Sequence, residues 1–506
     1  MKKKLLSVIL VSALTLSLLS GCSSGGADAE TTGNTSTEQN SEESGNAEEP
    51  YNVTMVYIGT EQADMQRIED AISELTLKEL NMTVDFIQMS FGDYQSRMKM
   101  MLSGGDDLDI IPINVGQAAA YVNAGQVLDL TEYVDEYGQG IVESLGDNAY
   151  MGTIGGFLYG FPSHKENQTR AGIVMRKDMV DQYGIDIDSI HSLEDLEPVY
   201  EMLHEEVPGM NLLVGKQNIT LIQSFDTLGD SFGVLDMWGD DLTKVVNMIE
   251  TDTYVERANL LHEWYEKGYI MQDAATTTET SAALIKAGNA FSYISPIKPG
   301  FLQQANQQCG MEMCCALFDG AEYVYSTGVN FYDWGIAANS KNPEKAMQFL
   351  NFAYTSPEFT NLLNWGQEGI DYVRVEGSET LIRYPEGLDD SNATYHLNMG
   401  WEIPNQFIGY IWEGNDEDLW EQYVEFDAAA TKSPAFGFTY DSTTLANELT
   451  ALSNVYNQYS AALETGSADP EEILPQMKEA MYAAGLQKVM DEKQRQLDEW
   501  LANKAE

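Results

Sequence analysis

Cysteine is scarce in this 506-residue chain, and basic residues are few beside acidic ones. Its four cysteines, Cys22, Cys309, Cys314 and Cys315, exclude a disulfide-rich extracellular scaffold. The last three allow one local bridge from Cys309 to Cys314 or Cys315, or serve as small buried hydrophobes near a strand, and the second is the expectation. Zinc would need a fourth ligand, and the closest histidines, His262 and His396, lie far off in sequence, so no metal is expected. Lys and Arg together number 27 against 80 Asp and Glu, a net charge of −53. That charge repels phosphate backbones and anionic headgroups, which argues against nucleic acid and against a peripheral grip on lipid. It fits solubility at a crowded cell surface or a halophilic source, and it says nothing about fold.

Catalytic signatures are also missing. There is no GxxxxGK[ST], no GxGxxG after the first strand and no GxSxG elbow. His204-Glu205 and His262-Glu263 begin like zinc helices, but neither has the second histidine. Asp226, Asp230, Asp236, Asp240 and Asp241 lack the spacing of a calcium loop and read as a solvated acidic loop. Carboxylates are abundant enough to pair anywhere, and their separation is not readable from sequence. No enzyme class and no cofactor are supported.

What is present starts at the N-terminus. Lys2, Lys3 and Lys4 lead into an apolar run, Leu5 to Leu19, too short to span a bilayer as a helix. Leu19-Ser20-Gly21-Cys22 resembles a lipobox, which implies a signal peptide over 1–21 and lipidation of Cys22. Its removal takes three lysines and no acid, so −53 becomes −56. Residues 22–50, rich in Ser, Thr, Gly, Asn and Glu, cannot bury surface and read as a disordered tether reaching on the order of 30 Å. Beyond it the chain alternates. Val53, Met55 and Tyr57 mark a strand; Ile68, Ala71, Ile72 and Leu75 one helical face; Val84 to Ile87 a second strand. A helix with Tyr94, Met98, Met101 and Leu102 precedes the apolar run Leu108 to Ile113, which completes a parallel α/β unit. Ligands of such sheets sit beyond the strand ends, here Gly59-Thr60-Glu61-Gln62 and Asn114-Val115-Gly116-Gln117. Asn342-Pro343 and Ser356-Pro357 signpost two helix starts, and the last sixty residues read as packed helices broken at Pro470 and Gly485.

All eight tryptophans lie at or after Trp238, several among Gly, Asn, Gln and acids: Trp238, Trp334, Trp365, Trp401 and Trp412. An aromatic face beside amides and carboxylates suits a polyhydroxylated ligand, the ring stacking on the C–H face of a sugar. Any single tryptophan also serves as core filling; Trp264, Trp420 and Trp500 sit on apolar helical faces and read as core.

Five segments in order then resemble the extracellular solute-binding lipoproteins of ABC importers, of the carbohydrate-associated type. They are Gly152 to Pro162, Gly172 to Ile185, Glu263 to Ile270, Ser340 to Phe352, and Trp365-Gly366-Gln367-Glu368-Gly369-Ile370-Asp371-Tyr372. Residues 398–506 resemble the DUF3502 type of C-terminal domain through Gly437-Phe438-Thr439-Tyr440-Asp441 and Ala484-Gly485-Leu486. The resemblance implies an α/β fold of two lobes, each a mostly parallel sheet flanked by helices, with a helical C-terminal segment and ligand captured between the lobes. It places 51–162 with about 326–370 in one lobe, and 163–325 with about 371–506 in the other. By transfer, Glu61, Trp365, Glu368, Tyr372 and Trp401 are the ligand-binding candidates, followed by Thr60, Gln117, Arg170, Trp238 and Trp334. Glu368 either bonds a ligand or pairs with an arginine such as Arg374; Arg170 holds a ligand carboxylate or a structural acid. The implied protein is a monomeric, lipid-anchored, extracytoplasmic receptor that passes an oligosaccharide or glycoconjugate to an ABC permease. The alternatives are a surface glycan sensor without transport duty, a peptide receptor, and a lipoprotein hydrolase.

Overall fold

A computed structural model describes residues 49–504, except 60, 91–93, 169, 216–224, 278, 321–322 and 390–391. The signal segment, Cys22 and nearly all of the tether lie outside the described residues. Alternating apolar residues build the first sheet, in which Met82–Met89, Tyr51–Ile58, Ile110–Asn114, Tyr332–Ile336 and Phe161–Pro162 are neighbours in that order. The first three run parallel, with Val53 opposite Val84 and Met55 opposite both Phe86 and Ile110. Tyr332–Ile336, which joins the sheet after the chain has built the second one, is antiparallel to both of its neighbours. Ile110, Ile111 and Ile113 are buried, as the apolar run requires.

A second sheet orders Met313–Leu317, Arg170–Arg176, Ala290–Ile297 and Asn211–Leu213. Here Arg170–Arg176 is antiparallel to both neighbours, and only the edge strand Asn211–Leu213 pairs in parallel. Each sheet has its own core, one centred on Val53, Ile110, Trp334 and Phe349, the other on Val174, Tyr200, Trp264 and Phe291. The C-terminal helices Ala446–Glu464, Pro470–Ala483 and Leu486–Lys504 pack Leu452, Leu463, Met477 and Val489 against Phe225, Val234 and Tyr254, forming a third core. Within the range assigned above to the second lobe, residues 395–403 behave differently: Tyr395, Leu397, Met399 and Ile403 enter the first core. No helix among the described residues is long and apolar enough to cross a membrane.

Cys309 and Cys314 are buried and all three later cysteines are free. Burial pushes the Cys314 thiol up to about 12, which leaves it unreactive. No cluster able to hold a metal ion occurs among the described residues.

Where the chain passes between sheets its backbone leaves the ladders, and buried polar groups there need other partners. Carboxylates supply them. Glu166 accepts from Lys298 Nζ and from Gln406 Nε2, each at 2.7 Å. Asp427, on the helix Leu419–Ala429, accepts from the amides of Asn167 and Gln168, both at 2.9 Å. Asp226, fully buried, accepts from Ser326 N at 2.8 Å, Ser326 Oγ at 2.5 Å and Ser433 Oγ at 2.6 Å. This corrects the solvated acidic loop expected around Asp226. Its neighbour Asp230 is also committed, to the fully buried Lys493 at 2.8 Å. Lys493 Nζ donates further to the carbonyls of Phe232 and Gly233, which is how a lysine survives burial.

Asp226→Ala should leave four donors, those of Ser326 N, Ser326 Oγ, Ser433 Oγ and Leu228 N, without their acceptor and cost about 2–3 kcal/mol, whereas Asp240→Ala at an exposed position should cost under about 0.5 kcal/mol. Urea denaturation of both variants checks this, and equal midpoints would contradict it.

Candidate functional site

The site is built around the end of one helix. Ser356 caps Pro357–Trp365, its Oγ accepting from Phe359 N at 3.2 Å, and Pro357 takes the first turn. Gly366, at φ 90°, ends the helix in a conformation that disfavours any side chain, and leaves Trp365 as the last helical residue. The turn that follows is locked by Asp371. Its carboxylate accepts from Gln367 N at 2.7 Å and, bidentately, from both Arg67 Nη atoms at 2.8 and 2.7 Å.

Trp365 then faces an aromatic cluster. Its ring lies 5.3 Å from Trp412 and 5.4 Å from His396, and its Nε1 donates to Tyr410 O at 3.2 Å. Tyr410 packs under the Arg374 guanidinium, 3.7 Å away, and 5.9 Å from Tyr372. Across the space stand Trp401, 5.6 Å from Tyr332, and the pair Trp420 and Tyr423, 5.5 Å apart. Together with Asn364, Asn398, Gln406 and Asn415 they enclose a chamber of about 130 Å³. Beside it opens a cavity of about 800 Å³ lined by Glu166, Lys286, Tyr293, Ser295 and Gln308. Lys298, Phe301, Gln304 and Trp401 line both spaces, so the two adjoin in one cleft region. Aromatic faces alternating with amides can stack on an apolar ring face and bond its substituents, beside a Lys298 whose charge is paired with Glu166.

Electrostatically the cleft floor is set by burial. Burial works to raise the Glu166 carboxyl, but Lys298, Lys165 and Gln406 outweigh it and hold it below its ordinary range. Glu402 lies behind Trp401. It accepts from Ile58 N and Tyr332 OH at 2.5 Å each, and burial still pushes it up to about 8.

The candidates distribute unevenly. Trp365 and Trp401 line the chamber, and Tyr372 stands behind Tyr410. Glu368 is exposed and pairs with Arg374 at 3.5 Å, the structural of its two readings. Trp334 is only 1 % exposed and its Nε1 donates to Glu402 O at 2.8 Å, so it is core and has no face for a ligand. Trp238 is 52 % exposed and, like Glu61, Gln117 and Arg170, lines neither space. Thr60 lies outside the described residues, as does Cys22. Trp420, expected in the core, lines the chamber. The sequence reading did not select Lys298, Gln304, Gln406, Tyr410, Trp412 and Tyr423. Only Trp412 had a signal, its place among the tryptophans flanked by polar residues.

Comparison with known proteins agrees with this architecture. The model of bacterial extracellular solute-binding proteins matches residues 70–370, and that of a domain of unknown function, DUF3502, matches 434–502. A carbohydrate ABC transporter substrate-binding protein of Streptococcus pneumoniae serotype 4 is 31 % identical over 468 residues, covering 89 % of this chain and 91 % of that protein. The crystal structure of an N-glycan transport solute-binding protein, NgtS, from Streptococcus pneumoniae superposes with a TM-score of 0.79 at 27 % identity, over 90 % of this chain and 100 % of that one. Its complex with Man5GlcNAc gives 0.74 at 28 %, over 90 % and 99 %. The alginate-binding protein AlgQ2, at 14 % identity and a TM-score of 0.61 over 89 % and 99 %, shares the fold.

The raised Glu402 has a pH consequence. Between its ordinary 4.5 and about 8 the folded chain binds a proton that the unfolded chain has lost, so this group's contribution falls as pH rises through that window. Glu402→Gln should flatten the decline in denaturation midpoint between about pH 5 and pH 8. Parallel pH profiles for variant and parent would refute the assignment.

Proposed function

Because the chain belongs to the bacterial extracellular solute-binding proteins, we propose that its aromatic cleft is where it captures an oligosaccharide for an ABC importer. The observation that carries this is the chamber itself: Trp365, Trp401, Trp412 and Trp420 with Asn364, Asn398, Gln406 and Asn415 around one space. Such walls suit a neutral polyhydroxylated ring better than a peptide, whose termini would require matched charges. The similar NgtS structures hold Man1GlcNAc and Man5GlcNAc, which favours a glycan of several sugars. The wide cavity of about 800 Å³ beside the chamber gives the rest of such a ligand room.

The role is binding and hand-over without turnover, as in the family. Two lobes closing over the solute would present it to the permease, and the segments held by Glu166, Asp427 and Asp226 are the hinge of that motion. The Leu19-Ser20-Gly21-Cys22 segment supports lipid anchoring at the extracytoplasmic face. Anchoring confines the search for the permease to the membrane surface and keeps the receptor's effective concentration high.

Calorimetry of the chain against glycan and peptide panels tests the reading. A one-to-one complex with an oligosaccharide is expected, weakened at least tenfold in Trp401→Ala and in Trp365→Ala. Binding to peptides alone would overturn the carbohydrate assignment, and unchanged affinity in both variants would move the site elsewhere.

A further inference from the structure

Glu402 follows Trp401, which lines both parts of the cleft, and is itself only 2 % exposed. Its main chain is pinned to the first lobe: the carbonyl accepts from Trp334 Nε1 at 2.8 Å and from Ser163 Oγ at 2.9 Å. Its side chain reaches two strands of the first sheet through one oxygen. Oε1 accepts from Ile58 N, at the end of Tyr51–Ile58, and from the Tyr332 hydroxyl, at the start of Tyr332–Ile336, each at 2.5 Å. The Tyr332 ring in turn meets Trp401 edge-on, at 5.6 Å and 81°. On the other side of Trp401, Gly400 packs so closely on Gln406 that a Cβ there would come within 2.8 Å of its Oε1. The indole is therefore set by what holds its two chain neighbours and by the ring that Glu402 bonds.

The second carboxyl oxygen decides which form of Glu402 fits this seat. Oε2 is buried and has no hydrogen-bond partner among the described residues. An ionised carboxylate would place part of its charge there unmatched. A neutral carboxyl keeps its carbonyl at Oε1, where the two donors converge, and leaves only a hydroxyl at Oε2, a far smaller cost. The titratable groups near enough to feel its charge are Tyr332, Tyr57 on the first strand and Tyr94 on the helix Tyr94–Gly104. Burial pushes all three phenols above their ordinary range, so they stay neutral. Glu61 and Glu69, which also act on Tyr57, are acids, and Ser163, Trp334 and the Ile58 amide do not titrate. With no cation from any of these elements, burial pushes Glu402 up to about 8.

Given the aromatic-cleft reading, on which this rests, we propose that Glu402 is a positioning residue whose protonated form holds Trp401 in the cleft wall, so that capture of the solute is coupled to retention of one proton. Ionisation obliges the carboxyl to find water or a cation. Leaving its seat withdraws the acceptor from Ile58 N and from Tyr332, and the turn that carries Trp401 moves with it. A sugar stacked on Trp401 favours the seated, protonated form. By linkage, affinity is full well below about pH 8 and falls above it, where each binding event takes up a fraction of a proton.

Man5GlcNAc, the glycan held by the similar NgtS structure, is titrated calorimetrically into the full chain at pH 7 and pH 9, and near pH 8.5 in buffers of different ionisation enthalpy. Affinity is expected to fall about fivefold or more from pH 7 to pH 9, with net proton uptake near pH 8.5. Glu402→Gln, whose amide oxygen keeps the bonds to Ile58 N and Tyr332 without titrating, should bind equally at both pH values and take up no proton. Tryptophan fluorescence of the unliganded chain should carry a transition near pH 8 that is missing from Glu402→Gln and from Trp401→Phe. An affinity independent of pH in the parent, the same fall in Glu402→Gln, or no fluorescence transition in the parent overturns the proposal. Weakening by Trp401→Ala without the pH dependence overturns this coupling alone, whereas an affinity that Trp401→Ala leaves unchanged overturns the cleft reading and the coupling together. A chain that binds no glycan yet keeps the Glu402-dependent transition upholds the positioning of Trp401 and counts against the cleft reading.

Discussion

The Glu166–Lys298 ion pair is the interaction on which the cleft and the crossing between lobes both depend. Glu166 is 4 % exposed, and removing a carboxylate from water so completely costs several kcal/mol unless it is fully bonded. It is fully bonded, by Lys298 at one oxygen and by Gln406 at the other. The three residues come from three passes of the chain: Glu166 from the first crossing, Lys298 from the end of a second-sheet strand, and Gln406 from the segment that follows the first core. Lys298 also sits 5.2 Å from the Tyr423 ring centroid and lines both parts of the cleft. Breaking such a pair leaves an uncompensated buried charge, so the pair resists change, while anything bound against Lys298 acts directly on the crossing. Recognition and hinge geometry thereby share one set of side chains.

The segment Trp365 to Tyr372 shows how a family motif can be structural rather than ligand-contacting. Gly366 and Gly369 both hold positive φ, Asp371 is 3 % exposed and consumed by Arg67 and a backbone amide, and Glu368 is spent on Arg374. What the motif delivers is a tryptophan at a helix terminus, pointing into the chamber, on a turn that cannot relax. Preorganisation of this kind spares the ligand part of the ordering cost on binding.

Local patterns made the elements readable before any coordinates. The alternation in Tyr51–Ile58, the apolar run ending at Ile113 and the Asn342-Pro343 and Ser356-Pro357 starts each depend on residues within a few positions, and all became the elements expected. The site was readable only where a residue type is conspicuous, as for Trp365 and Trp401. Lys298 is one unremarkable lysine until Glu166, 132 positions earlier, meets it. Asp226 looked solvated beside its acidic neighbours because Ser326 and Ser433, 100 and 207 positions away, leave no local trace. Trp420 shares the helix Leu419–Ala429 with core residues, and helical spacing cannot separate the face that meets a core from the one beside it that meets a cavity. Trp334 failed for the converse reason: polar neighbours in sequence do not prevent a ring from filling a core.

The same long-range partners explain how a chain with so few cations uses them. Lys298 and Lys493 are held inside, each neutralised by a carboxylate, so they contribute structure and little external field. The excess of acid is left to the surface, where its field is screened within about 8 Å at physiological salt. Capture in a chamber of indole faces and amides does not draw on that field, because stacking and neutral hydrogen bonds are weakly affected by ionic strength. Net charge and recognition are therefore physically separable here: the surface can remain strongly acidic for solubility without making the cleft selective for cations.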